Sequence, residues 1–134
     1  MRLDVPYVAL DREALPETVG EARRRITEMA AANGADRRLQ ADIALAVTEA
    51  VTNAIVHAYP PGRAGSVSIA ADFEEGDLEI VVTDDGDGFR PAAAPGLGAG
   101  MSIIAETAHE FVIREREPHG VEFWMRFHLR PDAD

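Results

Sequence analysis

Residues 39–59 read LQADIALAVTEAVTNAIVHAY. Apolar side chains recur at Leu39, Ile43, Val47, Ala50, Val51, Ala54 and Ala58, mostly three or four apart, which is the repeat of a helix burying one face. Asp36 stands just ahead as an N-cap. Pro60 and Pro61 close the run, because a proline pushes the residue before it out of the helical region. Glu49, Asn53 and His57 interrupt the apolar pattern. Each is four residues from the next, so the three form a slowly drifting row along the helix. A carboxylate can accept a proton, and an amide oxygen is a neutral ligand for a hard cation such as Mg²⁺. Alone, such a row equally describes a solvated or capping face. The rest of the chain decides between the two readings.

Upstream, residues 2–10 alternate loosely at Leu3, Val5 and Tyr7 and predict a first strand, at a sheet edge because of Pro6. Pro16 suits a helix start, and Val19, Ala22, Ile26, Met29 and Ala30 carry helical spacing through Ala32, with Asn33-Gly34 as a C-cap. Downstream, Ser66 to Phe73 alternates as a strand, Glu75-Gly76-Asp77 is a turn, and Leu78 to Thr83 is apolar enough on both faces to be central. Residues 84–100 are rich in Gly, Pro and Ala and predict a long loop, of the kind that is usually functional in a small domain. Met101 to Ala108 reads as a short helix. Glu110 to Arg116 and Val121 to Leu129 form a last hairpin, in which Phe123 and Trp124 point to opposite faces, one of them into the core. This order predicts one domain over residues 1–134, an α/β two-layer sandwich with a mixed, mostly antiparallel sheet and helices on one face. The other face is left to solvent or to a partner.

Composition narrows the class. The chain has 134 residues, 46% hydrophobic and 28% charged, as in a single globular domain. No apolar run approaches a membrane span, and nothing at the start resembles a signal peptide, so a cytoplasmic location is expected. Cysteine is absent, which excludes disulfides and thiolate metal sites. The net charge of -11 argues against nucleic acid or an anionic membrane bound through a broad basic surface. It leaves room for a small anion held by backbone amides and a metal, and for a partner protein with a basic face.

Two further motifs join the helical row. Asp84-Asp85-Gly86-Asp87-Gly88-Phe89 follows a buried strand directly; its glycines permit close backbone approach, and its first carboxylate can accept hydrogen bonds at the strand end. In isolation this is a tight acidic turn, and it lacks the Glu of an EF-hand loop. Gly96-Leu97-Gly98-Ala99-Gly100 opens the helix expected near Met101, where free backbone N–H groups can cradle an anion. It is not a Walker motif, since no Gly-Lys-Ser/Thr follows.

Together, TEAVTNAIVHAYP, DDGDGF and GLGAGMSIIAETAHEFVI resemble the N, G1 and G2 boxes of the GHKL ATPases, and within them the small single-domain anti-sigma-factor serine kinases of bacteria. The resemblance runs over nearly the whole chain. It implies the GHKL fold, ATP and Mg²⁺ as cofactors, and a role for each matching residue. Glu49 is then the general base toward an acceptor hydroxyl, and Asn53 the Mg²⁺ ligand. Asp84 receives the adenine amino group, and Gly86 and Gly88 shape the adenine pocket. Gly96, Gly98 and Gly100 let the loop close over the phosphates, with Met101 beside them. His57 matches the pattern near the phosphates, although a hydrogen bond to a backbone carbonyl serves it equally. Arg23, Arg24 and Arg25 lie on the first helix, where family members meet a sigma factor; a solvated helix face is the even alternative.

The implied function is an ATP-binding anti-sigma factor that phosphorylates Ser or Thr of a STAS-type anti-anti-sigma protein and sequesters a sigma factor. A homodimer contacting through residues 3–32 is expected, with no direct nucleic-acid or membrane contact. Two departures bear on this. The family's Gly-Thr at the last strand is here Gly120-Val121, without the hydroxyl that helps hold adenine. No Lys or Arg lies between Pro91 and Gly100, leaving Arg90 and Arg63 as the nearest cations for a triphosphate. The first departure points toward weaker nucleotide binding, and the second toward binding that survives while transfer is slow. The alternative reading is a regulatory module that binds nucleotide and transfers nothing.

Overall fold

A computed structural model describes residues 8–58, 65–86, 97–117 and 120–129. The chain order is β1 (Val8–Glu13), α1 (Pro16–Ala32), α2 (Arg37–Ala58), β2 (Ser66–Glu74), β3 (Asp77–Asp84), α3 (Leu97–Thr107), β4 (Glu110–Glu115) and β5 (Val121–His128). The five strands form one sheet in the order β1-β2-β3-β5-β4. Every pairing among them is antiparallel, at the antiparallel end of the mixed sheet expected. β3 is the central strand, and β1 and β4 are the edges.

The sheet has one apolar face and one mixed face because its strands alternate strictly. Val67, Ile69 and Ala71 of β2, Leu78, Ile80 and Val82 of β3, and Phe123, Met125 and Phe127 of β5 are all at most 1% exposed. Against them α2 lays Ile43, Ala46, Val47, Ala50, Val51 and Ala54, equally buried. Five of those six positions are alanine or valine, so small side chains fill the contact between helix and sheet. α1 packs on α2 through Ala22, Ile26 and Ala30, and α3 adds Ile104.

Local signals place the boundaries. The Asp36 carboxylate accepts the Leu39 N–H at 2.8 Å, so the expected cap is present and α2 begins at Arg37. The α1 C-terminus closes on Asn33, and Gly34 follows at φ 105°. Glu75 and Gly76 both have positive φ, 54° and 86°, as a two-residue turn matching the strand twist requires. Two expectations shift. β1 runs on to Glu13, because pairing with β2 carries the ladder through Asp11, Arg12 and Glu13, which an apolar alternation does not reveal. The expected start of that strand, residues 2–7, lies outside the described residues. α3 starts at Leu97 rather than Met101, so Gly98 and Gly100 belong to its first turn.

Asp36→Ala removes the α2 cap and is expected to lower the unfolding free energy by about 1 kcal/mol, with Asp36→Ser close to the parent. Urea denaturation followed by circular dichroism measures both.

Candidate functional site

The site is built where β3 ends. Asp84 is the last residue of that strand and is 1% exposed, an unusual place for a carboxylate. Its Oδ1 accepts the Gly86 N–H at 2.9 Å, a local turn that only works because the chain leaves the sheet here. Its Oδ2 is buried and has no hydrogen-bond partner among the described residues. A buried carboxylate oxygen without a donor is costly and is expected where a ligand supplies the donor. Burial pushes the Asp84 carboxyl above its ordinary range. The N–H groups of Gly86 and Val121 pull it back, the charge of Asp85 raises it further, and Arg116 opposes that.

Three features of the β4–β5 hairpin converge on the same residue. Val121 is the register partner of Asp84 across the β3–β5 seam. Arg116 donates from Nη1 to the Asp84 backbone carbonyl at 3.1 Å, while its own N–H closes the turn on the Gly120 carbonyl at 2.9 Å. Gly120 stands at φ 108°, and a Cβ there would lie 2.2 Å from the Asp84 carbonyl oxygen. Glycine is thus required twice, by conformation and by space. Arg116 escaped the sequence reading. Its signal was the pairing of the last hairpin with β3, which brings the residue before the turn beside DDG.

The helical row lies on α2, which packs against β3, β5 and α3. Glu49 is half-buried in the structure. Asn53 is 5% exposed and its Nδ2 has no partner among the described residues, so the donors of that nitrogen are unspent. A half-turn of the amide puts its oxygen at the same place. His57 falls one turn further along α2, with its side chain outside the described residues. Gly98 and Gly100 occupy the first turn of α3, where backbone N–H groups lack intrahelical partners. Met101 is half-buried against the core. Gly88, Gly96, Arg63 and Arg90 lie outside the described residues. The structure therefore joins Gly86 to Asp84 directly and brings the helix of Glu49 and Asn53 against the strand of Asp84 and the helix of Met101.

The residues present fit a nucleotide with its metal. The Asp84 Oδ2 suits an exocyclic amine, and a buried amide suits a hard ion. Among the described residues no group of three or more His, Asp or Glu could hold a metal. That accords with an ion taking most of its ligands from phosphates and water, as Mg²⁺ commonly does.

This two-layer arrangement, with a buried Asp at a strand end and a polar row on the facing helix, is that of an ATPase domain of the histidine-kinase type. Residues 12–127 match the histidine kinase-like ATPase domain, and the chain belongs to that family. The protein named serine-protein kinase RsbW of Bacillus subtilis (strain 168) is 37% identical over 89 residues, 66% of this chain and 56% of that protein. The anti-sigma F factor of Clostridium novyi (strain NT) is 28% identical over 132 residues, 88% of this chain and 92% of that protein. Among solved structures, the RsbU and RsbW domains of Rv1364c from Mycobacterium tuberculosis superpose with TM-score 0.71 at 22% identity, over 93% of this chain and 32% of that one. The catalytic domain of the histidine kinase ThkA follows with TM-score 0.59 at 17% identity, over 93% of this chain and 99% of that one. These likenesses establish the α/β fold expected from the sequence. The chain spans little more than half the length of the RsbW relatives it matches, 56%.

The raised Asp84 carboxyl has a defined effect on stability. The folded chain holds this proton more tightly than the unfolded chain, whose ordinary value is 3.8. The group's contribution is therefore most favourable below that pH and falls as pH rises through the folded value. Asp84→Asn keeps the acceptor for Gly86 and removes the buried charge. It is expected to melt above the parent at pH 7, with the difference shrinking as the pH is lowered toward 4. The same variant is expected to bind Mg-ATP more weakly by about 1.5–3 kcal/mol, the worth of a hydrogen bond to a charged group. Thermal melts across pH and calorimetric titration check the two halves.

Proposed function

We propose that the chain is an ATP- and Mg²⁺-dependent serine/threonine-protein kinase of the anti-sigma-factor type. Its substrate is an anti-anti-sigma protein of the STAS class, and it holds a sigma factor until that substrate, unphosphorylated, displaces it. The observation that carries the reading is the buried Asp84 carboxylate with one oxygen unpartnered, facing a helix whose Glu49 and Asn53 lie one turn apart. The names of the relatives, serine-protein kinase and anti-sigma F factor, support it.

In this reading Asp84 fixes the purine by accepting its amine, with Gly86, Gly88 and the Arg116 clamp shaping that end. Asn53 holds the Mg²⁺ ion. When bound, the ion supplies charge neutralisation across the phosphates. The first turn of α3, with Gly98 and Gly100 and preceded by Gly96, offers backbone N–H groups to the same phosphates. His57 and Met101 border them. Glu49, half-buried on a rigid helix, takes the proton of a serine or threonine hydroxyl brought in by the protein substrate. For the sigma factor, a groove beside α1 lined by Glu17, Glu21, Arg23, Arg24, Glu28 and Ala44 offers both signs of charge. Among the described residues no helix is long and apolar enough to cross a membrane, and we place the protein in the cytoplasm.

Glu49→Gln is expected to bind Mg-ATP and both partner proteins as the parent does. Transfer of labelled phosphate to the cognate STAS protein should fall by about 10²–10⁴-fold. A parent that binds Mg-ATP and transfers nothing is the nucleotide-binding module instead. Asn53→Ala is expected to lose the Mg²⁺-dependent tightening of ATP binding, read as the affinity difference with and without EDTA; no EDTA effect on the parent removes the Mg²⁺ assignment. We also propose a homodimer through residues 3–32 holding one sigma factor. Light scattering at micromolar concentration should give twice the chain mass, and a single-chain mass unchanged by nucleotide contradicts it.

A further inference from the structure

The face of the sheet turned away from the helices has no role in the nucleotide reading. Strand register places one small or apolar residue per strand in a single row across it: Ala9, Ala70, Val81, Trp124 and Val112. Val112 is 37% exposed on the edge strand, and Ala9 is exposed at the opposite edge. Four strand spacings make the row about 19 Å long. The neighbouring outward rows are polar. Asp11, Ser68, Thr83, Glu122 and Arg114 lie on one side, and Asp72, Glu79, Arg126 and Glu110 on the other, five carboxylates against two guanidiniums in all. Both guanidiniums are already committed. Arg114 pairs with Glu122 at 3.1 Å, and Arg126 pairs with Glu110 at 2.6 Å while standing 5.0 Å from the Trp124 ring centroid. Trp124 is held from the neighbouring outward row by its Nε1–H, which donates to Glu79 at 3.1 Å.

We propose that this face docks a helix of a partner protein whose apolar stripe is flanked by lysine and arginine. Charge complementarity selects that occupant: an apolar strip between polar margins that together carry five carboxylates and two guanidiniums, on a chain of net charge -11, favours cations beside the stripe. The dimensions agree. A helix advances 5.4 Å per turn, close to the strand spacing, so one apolar residue per turn meets one strand of the row, and about 13 residues span it. A second copy of the chain is disfavoured. Stacking two such faces brings carboxylate margins to about 10 Å, where like charges are only partly screened. The helices and the nucleotide site lie on the opposite side, so docking leaves them free, while β1, with Ala9 and Asp11, is shared with the proposed dimer contact.

Trp124 is the chain's one tryptophan and reports directly on this face. The probe is a synthetic helical peptide of about 14 residues with a leucine stripe flanked by Lys and Arg, compared with the same peptide flanked by Glu. The basic peptide should move Trp124 emission to shorter wavelength and bind at least about tenfold tighter than the acidic one. Its affinity should fall as salt rises from about 50 to 200 mM. Val112→Asp and Glu110→Lys, both at the exposed edge strand, should each weaken it by about tenfold and leave Mg-ATP affinity unchanged. Equal or absent binding of the two peptides overturns the proposal, as does binding without a Trp124 response or without an effect of either variant. A parent dimer that Val112→Asp dissociates also overturns it and assigns the face to self-association.

Discussion

The contact between α2 and the inner face of the sheet supports everything else in this molecule. Ile43, Ala46, Val47, Ala50 and Val51 are buried completely against β2, β3 and β5. Truncating a core residue of this kind, such as Phe123 to alanine, costs about 3–5 kcal/mol, a large part of a small domain's stability. The same contact fixes the rotation of α2 about its axis. Asn53 is carried into the interior and Glu49 to its margin by the turns that bury Ala50 and Ala54. The positions of Glu49 and Asn53 are thus set by apolar packing.

Against that rigid layer, Asp84 is held in a costly state. Its burial, its unpartnered oxygen and its raised carboxyl all work against folding, and the Gly86 N–H and the Arg116 clamp offset them only partly. Natural chains retain such groups where activity requires them. The contrast with Arg12 is informative. Its bond to Glu21, 2.9 Å long and at the surface, raises the guanidinium and lowers the carboxyl at little cost either way.

Much of this was legible before any coordinates. Elements with a single strong periodicity, α1, α2, β2 and β5, stand where their apolar repeats put them. Asp36, Asn33-Gly34 and Glu75-Gly76 punctuate them as local chemistry dictates. Asp84 could be recognised as a carboxylate at a strand end, but its near-complete burial could not, because aspartate is normally exposed and its burial comes from strands distant in sequence. Arg116 and the Ala9–Val112 row were hidden for the same reason. Each exists only through the order β1-β2-β3-β5-β4, which no local pattern encodes. The true start of α3 was masked by glycines, which read as loop even when they occupy a first helical turn.

The β3–β5 seam has one more consequence. β2 and β3 form one hairpin joined by a two-residue turn, and β4 and β5 form another. Each is local, and within the sheet the seam joins them. Asp84 belongs to the first, while Val121, Gly120 and Arg116 belong to the second. A ligand held at Asp84 is therefore a staple across the joint between two halves. It binds only when both are assembled, and its binding energy adds in full to the cost of parting them. Occupancy then sets how cooperatively the sheet melts: a saturated chain comes apart as one unit, at a temperature that climbs with the logarithm of ligand concentration.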